Sequence, residues 1–168
     1  MRNPVLWRRI RCFTIGICYM TAATARETVT VPLHGTDAGT FYVAMSIAGH
    51  SAGDFLVDTG SSYVAIDRNT LQRVRKTGSV ELVKHITAVM ADGSETAVPV
   101  YRLSRLTIGT DCVLDDIEAA VLPNQTRNIL GLSALKKAAP FSISLDPPQL
   151  ILSGCTPPVA AADTFALR

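Results

Sequence analysis

A chain of 168 residues with 48% hydrophobic and 18% charged side chains has room for one domain with a real core, which excludes a disordered chain. Its formal charge of +2 misleads, because Arg2, Arg8, Arg9 and Arg11 all stand in an N-terminal stretch without acids. Beyond residue 25, twelve basic residues face fourteen acidic ones, net −2, and no basic patch remains to hold nucleic acid.

In chain order, "MRNPVLWRRIR" is a basic head, "CFTIGICYM" a short apolar run, and "ATA" at 23–25 a small-x-small cleavage pattern. Together they predict a signal peptide over residues 1–25 and an exported protein, periplasmic or secreted. The alternative is a membrane anchor over residues 5–25, although the apolar run falls short of the roughly 20 residues a spanning helix needs. Export would leave Cys112 and Cys155 as the cysteines of the mature chain. Their spacing fits either a disulfide or two buried thiols. There is no CxxC, and His34, His50 and His85 show no ligand spacing, so no zinc site is expected.

Val, Ile, Leu and Thr dominate, with Gly and Pro throughout, which argues for many short strands. "TVTVPL" (28–33) alternates as a half-buried strand, "HGTDAG" reads as a turn, and "TFYVAMSIAG" (40–49) as a second strand. "HSAG" is expected to break the chain before the strand "DFLVD" (54–58), and "SYVAI" (62–66) is another strand. "DRNTLQRVRK" reads as a helix capped by Asp67, with basic residues in its last turn. Residues 80–109 form the longest β segment, a hairpin with a two-residue turn at Asp92-Gly93. Residues 111–123 continue as a strand whose acids, Asp115, Asp116 and Glu118, line a solvated face. "NILGLSALKKA" is a strand end, a glycine and a short helix, and "FSISLDPPQLIL" (141–152) a hairpin turning at Pro147-Pro148. The domain is expected over 28–152, with a loose tail over 153–168.

The chemistry points to "FLVDTGSSYVAI" (55–66). An aspartate that ends an apolar strand is costly unless it is hydrogen-bonded or used. Gly60 would admit the sharp turn, Thr59 could bond within or across it, and Ser61 could donate to the outer oxygen of the Asp58 carboxylate. The tripeptide alone reads first as a strand-to-turn aspartate capping its own loop. Ser61, Ser62 and Ser133 lie in no GxSxG elbow, so a serine nucleophile is not indicated.

Three motifs in order give the context: "VDTGSS", then the hairpin "ITAVMADGSETAVPV", then "ILGLSAL" about seventy residues after Asp58. With them the chain resembles the retropepsin-like aspartic proteases of the short bacterial single-domain type, over about residues 28–152. The resemblance implies an all-β fold: a closed or partly open acid-protease barrel lobe with one or two short helices and a flap hairpin. It implies that Asp58 is catalytic and supported by Thr59, Gly60 and Ser61. Asp92 and Gly93 would form the flap tip, with Val89, Met90 and Val98 beside it, either contacting substrate or serving as ordinary β-core positions. Ile129, Leu130 and Gly131 would cross behind the active-site loop. A single Asp-Thr-Gly per chain implies a homodimer in which two copies of Asp58 share a proton and activate a water. The implied reaction is hydrolysis of extended polypeptides without metal or organic cofactor. The competing reading is a peptide-binding module of the same fold that never forms the dyad. The strand that closes viral retropepsins is replaced here by the 141–152 hairpin, so the mode of pairing is left open.

Overall fold

A computed structural model of the chain describes residues 27–36, 39–76, 80–90, 92–123 and 126–156. The expected signal segment, residues 1–25, lies outside them, as does the tail beyond Thr156. Among the described residues no helix is long and apolar enough to cross a membrane.

Among the described residues eleven strands and two short helices follow one another: β1 (Val29–Pro32), β2 (His34–Gly35), β3 (Phe41–Ile47), β4 (His50–Val57), β5 (Val64–Asp67), α1 (Arg68–Arg75), β6 (Val80–Val89), β7 (Glu95–Ile108), β8 (Cys112–Leu122), β9 (Ile129–Leu130), α2 (Leu132–Leu135), β10 (Phe141–Leu145) and β11 (Pro148–Leu152). The mostly β character expected from the composition is what the chain adopts. One sheet runs β2-β3-β4-β9-β5-β8-β7-β6, and β3 also pairs with β7, so six of its strands close on themselves as a barrel. The alternation of the strands points Val43, Met45, Ile47, Phe55, Leu106 and Ile108 into one core. A separate three-stranded sheet, β1-β11-β10, packs Val31, Leu150 and Leu152 against the same core.

Helix α1 forms as its sequence suggests. The Asp67 carboxylate accepts from the Thr70 N–H, Leu71 and Val74 turn inward, and Arg73 and Arg75 sit in the last turn.

The turns differ from expectation. "HSAG" is not a break: His50 to Gly53 belong to β4, and the chain reverses at Ala48-Gly49, with φ of 50° and 79°. Two successive positive φ values match the right-handed twist of a hairpin, and Ala48 adopts one despite its Cβ. The β6–β7 loop is one residue longer than Asp92-Gly93 alone requires. Met90 N–H donates to Ser94 O and Gly93 N–H to Met90 O, with Gly93 at φ 81°, the pattern of a three-residue loop ending in a glycine bulge. His34-Gly35 pairs with β3 instead of turning, and Pro148 pairs with Leu145, leaving Asp146-Pro147 as the last turn.

The start of the tail is fastened, not loose. Cys112 and Cys155 form a disulfide with Cα atoms 4.8 Å apart, and Val113 and Thr156 exchange both backbone hydrogen bonds at 3.1 Å. The bridge closes 43 residues of sequence, a loop whose closure entropy corresponds to about 4 kcal/mol. Replacing both cysteines by serine is therefore expected to lower the unfolding free energy by about 2–4 kcal/mol in urea titrations. The same loss should follow when the wild-type chain is titrated with reductant present.

Candidate active site

The short β9 organises the site. It lies parallel to β4, with Leu56 beside Ile129 and Val57 beside Leu130, and meets β5 antiparallel at Ala65. The loop 58–63 that joins β4 to β5 must therefore pass over the end of β9. The Asp58 N–H donates to Leu130 O at 3.1 Å, and Leu132 N–H donates to Ser61 O at 2.8 Å. The loop is thus bonded at both ends to the segment around Gly131. Ile129 and Leu130 thus run beside β4, and the residues on either side of Gly131 hold the two ends of the loop.

Asp58 is half-buried at the end of β4, and its Oδ1 accepts the Gly60 N–H at 2.8 Å. Ser61 N–H reaches back to Asp58 O at 3.3 Å, closing the turn. Two expected roles need correction. Gly60 is not in the left-handed region; what it supplies is room, since a Cβ there would stand 3.1 Å from Asp58 Oδ1. Ser61 does not donate to the carboxylate: its hydroxyl donates to Tyr63 O at 2.8 Å and stiffens the exit of the loop instead. Thr59 is exposed, and its side chain makes no hydrogen bond to any described residue.

Gly131 is fixed by proximity rather than by dihedral freedom. A Cβ on it would collide with the carbonyl of Tyr63 and lie 2.8 Å from Ser61 O. Two residues beside it carry bonds that the sequence did not reveal. Ser133 Oγ accepts the Val64 N–H at 2.8 Å and donates to Glu118 O at 2.8 Å, linking α2, β5 and β8. Asn128 accepts the Asp67 N–H at 3.1 Å and donates its side-chain amide to Ala52 O at 3.2 Å, while its carbonyl receives Leu56 N–H. Polar side chains bracketing the apolar Ile129-Leu130 pair were the available signal. Ser133→Ala leaves the N–H of buried Val64 without its acceptor and is expected to cost about 1–3 kcal/mol in chemical denaturation.

The β6–β7 hairpin rests on the site through a small second cluster. Ala65, Val98, Val100, Ala120 and Leu122 are buried, and Ile86, Ala88, Tyr63 and Ile129 pack against them. Val98 is thus a buried β-core position, whereas Val89 is exposed and Met90 half-buried at the tip. Asp92 Oδ1 accepts from the Ser94 hydroxyl at 2.7 Å and the Ser94 N–H at 2.9 Å, and these bonds hold its carboxyl below the usual aspartate value of about 3.9. The turn therefore keeps this brace at neutral and mildly acid pH, losing it only as pH falls through the lowered value. Lys84 bonds Glu118 at 2.8 Å and lies 5.6 Å from the Tyr63 ring centre; chiefly the Glu118 bond, then Tyr63, raises its pKa. Among the described residues no group of three His, Cys, Asp or Glu side chains gathers as a metal site would need.

No curated protein matches the chain. The crystal structure of a retropepsin-like aspartic protease from Rickettsia conorii superposes with a TM-score of 0.56 at 24% identity, covering 75% of this chain and 91% of that one, a likeness of fold. The family described as gag-polyprotein putative aspartyl protease matches residues 43–137, from β3 to the end of α2 and its following turn. That stretch is more than half of the sequence and holds Asp58, the hairpin and Gly131, so the chain belongs to this retropepsin-like aspartyl protease family.

Proposed function

We propose that the chain is an aspartic endopeptidase that acts as a homodimer, with Asp58 from each copy forming one catalytic pair. The observation that carries this reading is the half-buried Asp58 carboxylate, aimed by the Gly60 N–H at the end of β4, in the one Asp-Thr-Gly of the sequence. Two carboxylates about 3 Å apart cannot both ionise, so one keeps a proton near working pH. The ionised member takes a proton from water as the water oxygen attacks the scissile carbonyl carbon. The protonated member hydrogen-bonds the carbonyl oxygen as it becomes tetrahedral. Return of a proton to the amide nitrogen then releases the amine and leaves the new carboxyl terminus.

Thr59 fits this reading, since an exposed hydroxyl without a partner among the described residues is available to bond across the axis. An extended peptide would lie between the pair and the β6–β7 hairpin, bonded along its main chain. We place the protein outside the cytoplasm, because the basic and apolar head of the sequence and the Cys112–Cys155 bridge both suit an oxidising compartment.

The test uses a mixed peptide library at acidic and neutral pH across a dilution series of the enzyme. Cleavage per chain should fall once the concentration drops below that of dimer formation, and a pepstatin-like transition-state mimic should block it. Unchanged cleavage per chain from a strictly monomeric species would overturn the shared pair. No cleavage by a dimeric protein at any pH would favour the binding module.

A further inference from the structure

The three-stranded sheet outside the matched family stretch carries a seam of its own. Across it the residues align in rows on the core face: Val31, Leu150 and Ile143 in one, Leu33, Pro148 and Leu145 in the next. Burial fails along each row as it reaches β10. Val31 is 3% exposed, Leu150 0% and Ile143 37%, while Leu33 is 6% exposed and Leu145 68%. The apolar face thus continues past the point where the subunit covers it.

The edge of β10 also lacks the devices that keep strand edges apart. Phe-Ser-Ile-Ser-Leu has no charge, no proline and no bulge, whereas edge strand β6 carries Glu81 and Lys84 in ion pairs, and β1 carries Pro32. Its outward groups are the right ones for pairing. Leu33 N–H donates to Pro148 O, so Pro148 faces β1; by the alternation of an antiparallel ladder, Gln149 and Ile151 face β10. The N–H and C=O of Phe141, Ile143 and Leu145 then point off the edge, which no described residue pairs. A strand with such a pattern complements itself about its middle residue. An antiparallel copy centred on Ile143 sets Ile143 against Ile143 and Phe141 against Leu145, all on the apolar face.

We infer that β10 pairs with β10 of a second copy around Ile143, joining two three-stranded sheets into one six-stranded sheet that holds the dimer. This rests on the reading that the site needs Asp58 from two copies, which names the occupant of the edge. β10 is also tied to that site through α2, which follows Gly131, and the turn after it, where Ala138 O and Pro140 O accept the N–H of Ser153, the residue after β11 (3.2 and 3.1 Å).

Two variants test the seam in the full chain. Ile143→Lys/Leu145→Lys buries charge at the contact and is expected to weaken self-association at least about 100-fold in sedimentation, with the circular dichroism unchanged and peptide cleavage lost in parallel. Ile143→Cys should form a disulfide between copies at position 143, found by mass spectrometry, because directly opposed residues stand about 5.5 Å apart at Cα. The inference is overturned if the lysine variant stays dimeric, as it would were the edge covered by the chain's own tail, or if the cysteine variant never crosslinks. A wild type that cleaves peptides while the lysine variant remains a dimer sinks the seam and leaves the proposed activity standing. Dimers that part on lysine substitution yet never cleave peptides sink the activity and leave the seam.

Discussion

Asp58→Asn is expected to reduce peptide cleavage by more than about 10³-fold while leaving fold and dimer intact. Asparagine has the shape of aspartate, and its amide oxygen can still accept the Gly60 N–H that Asp58 Oδ1 accepts at 2.8 Å. The bond from Asp58 N–H to Leu130 O is made by the backbone and survives the change. What is lost is the capacity to take a proton from water, and in a symmetric dimer it is lost from both halves at once. Mixing the variant with wild type adds a sharper readout. If both members of the pair are needed, heterodimers are dead, and activity should fall as the square of the wild-type fraction at constant total protein. A linear fall would mean that a single carboxylate suffices. Cleavage by pure Asp58→Asn at the wild-type rate would remove Asp58 from the chemistry altogether.

Gly131→Ala should be the most damaging single methyl in the molecule. The added carbon would overlap the Tyr63 carbonyl and crowd Ser61 O, both of them backbone. A flexible side chain can swing away from an intruding methyl, but a loop held at 2.8 Å by Leu132 N–H cannot move without losing that bond. Overpacking of this kind costs about 1–3 kcal/mol and more where backbone must shift. The expected outcome is a loss of about 3 kcal/mol or more of stability, together with activity, because the displaced loop is the one that carries Asp58. A control at Gly60 separates the two effects. There the nearest atom to an added methyl is Asp58 Oδ1 at 3.1 Å, a side-chain atom, so Gly60→Ala should disturb activity far more than stability. An unaffected melting curve for Gly131→Ala would show that loop 58–63 is not clamped as described.

The parts that could be read from the sequence are those fixed by neighbours in the chain. Asp67 caps α1 because the Thr70 N–H is three residues away, and the alternation of residues 80–109 builds β6 and β7 without outside help. The order of VDTGSS, hairpin and ILG was also legible, since each motif is local even though they meet in space. Errors gathered where two distant segments decide. A turn considered alone gives Gly60 and Ser61 their expected roles, yet the loop is shaped by the segment 130–132 that it crosses. The apolar pair that Asn128 and Ser133 bracket marks them as candidates, but their neighbours in the chain do not name the distant partners Val64, Glu118, Asp67 and Ala52. The Ala48-Gly49 reversal was missed because alanine gives no warning of a positive φ. The fastened start of the tail depends on Cys155 reaching back to Cys112, which spacing cannot decide.

The placement of β9 between β4 and β5 also sets an order of events during synthesis. Leu56 and Ile129 are partners although more than seventy residues separate them, so the nascent N-terminal half emerges with Asp58 but nothing to hold it. Such long-range closure makes folding slow. It also delays assembly of the loop: a chain that stops before Leu130 would carry Asp58 without the carbonyl that accepts its N–H and without the segment that clamps residues 58–63.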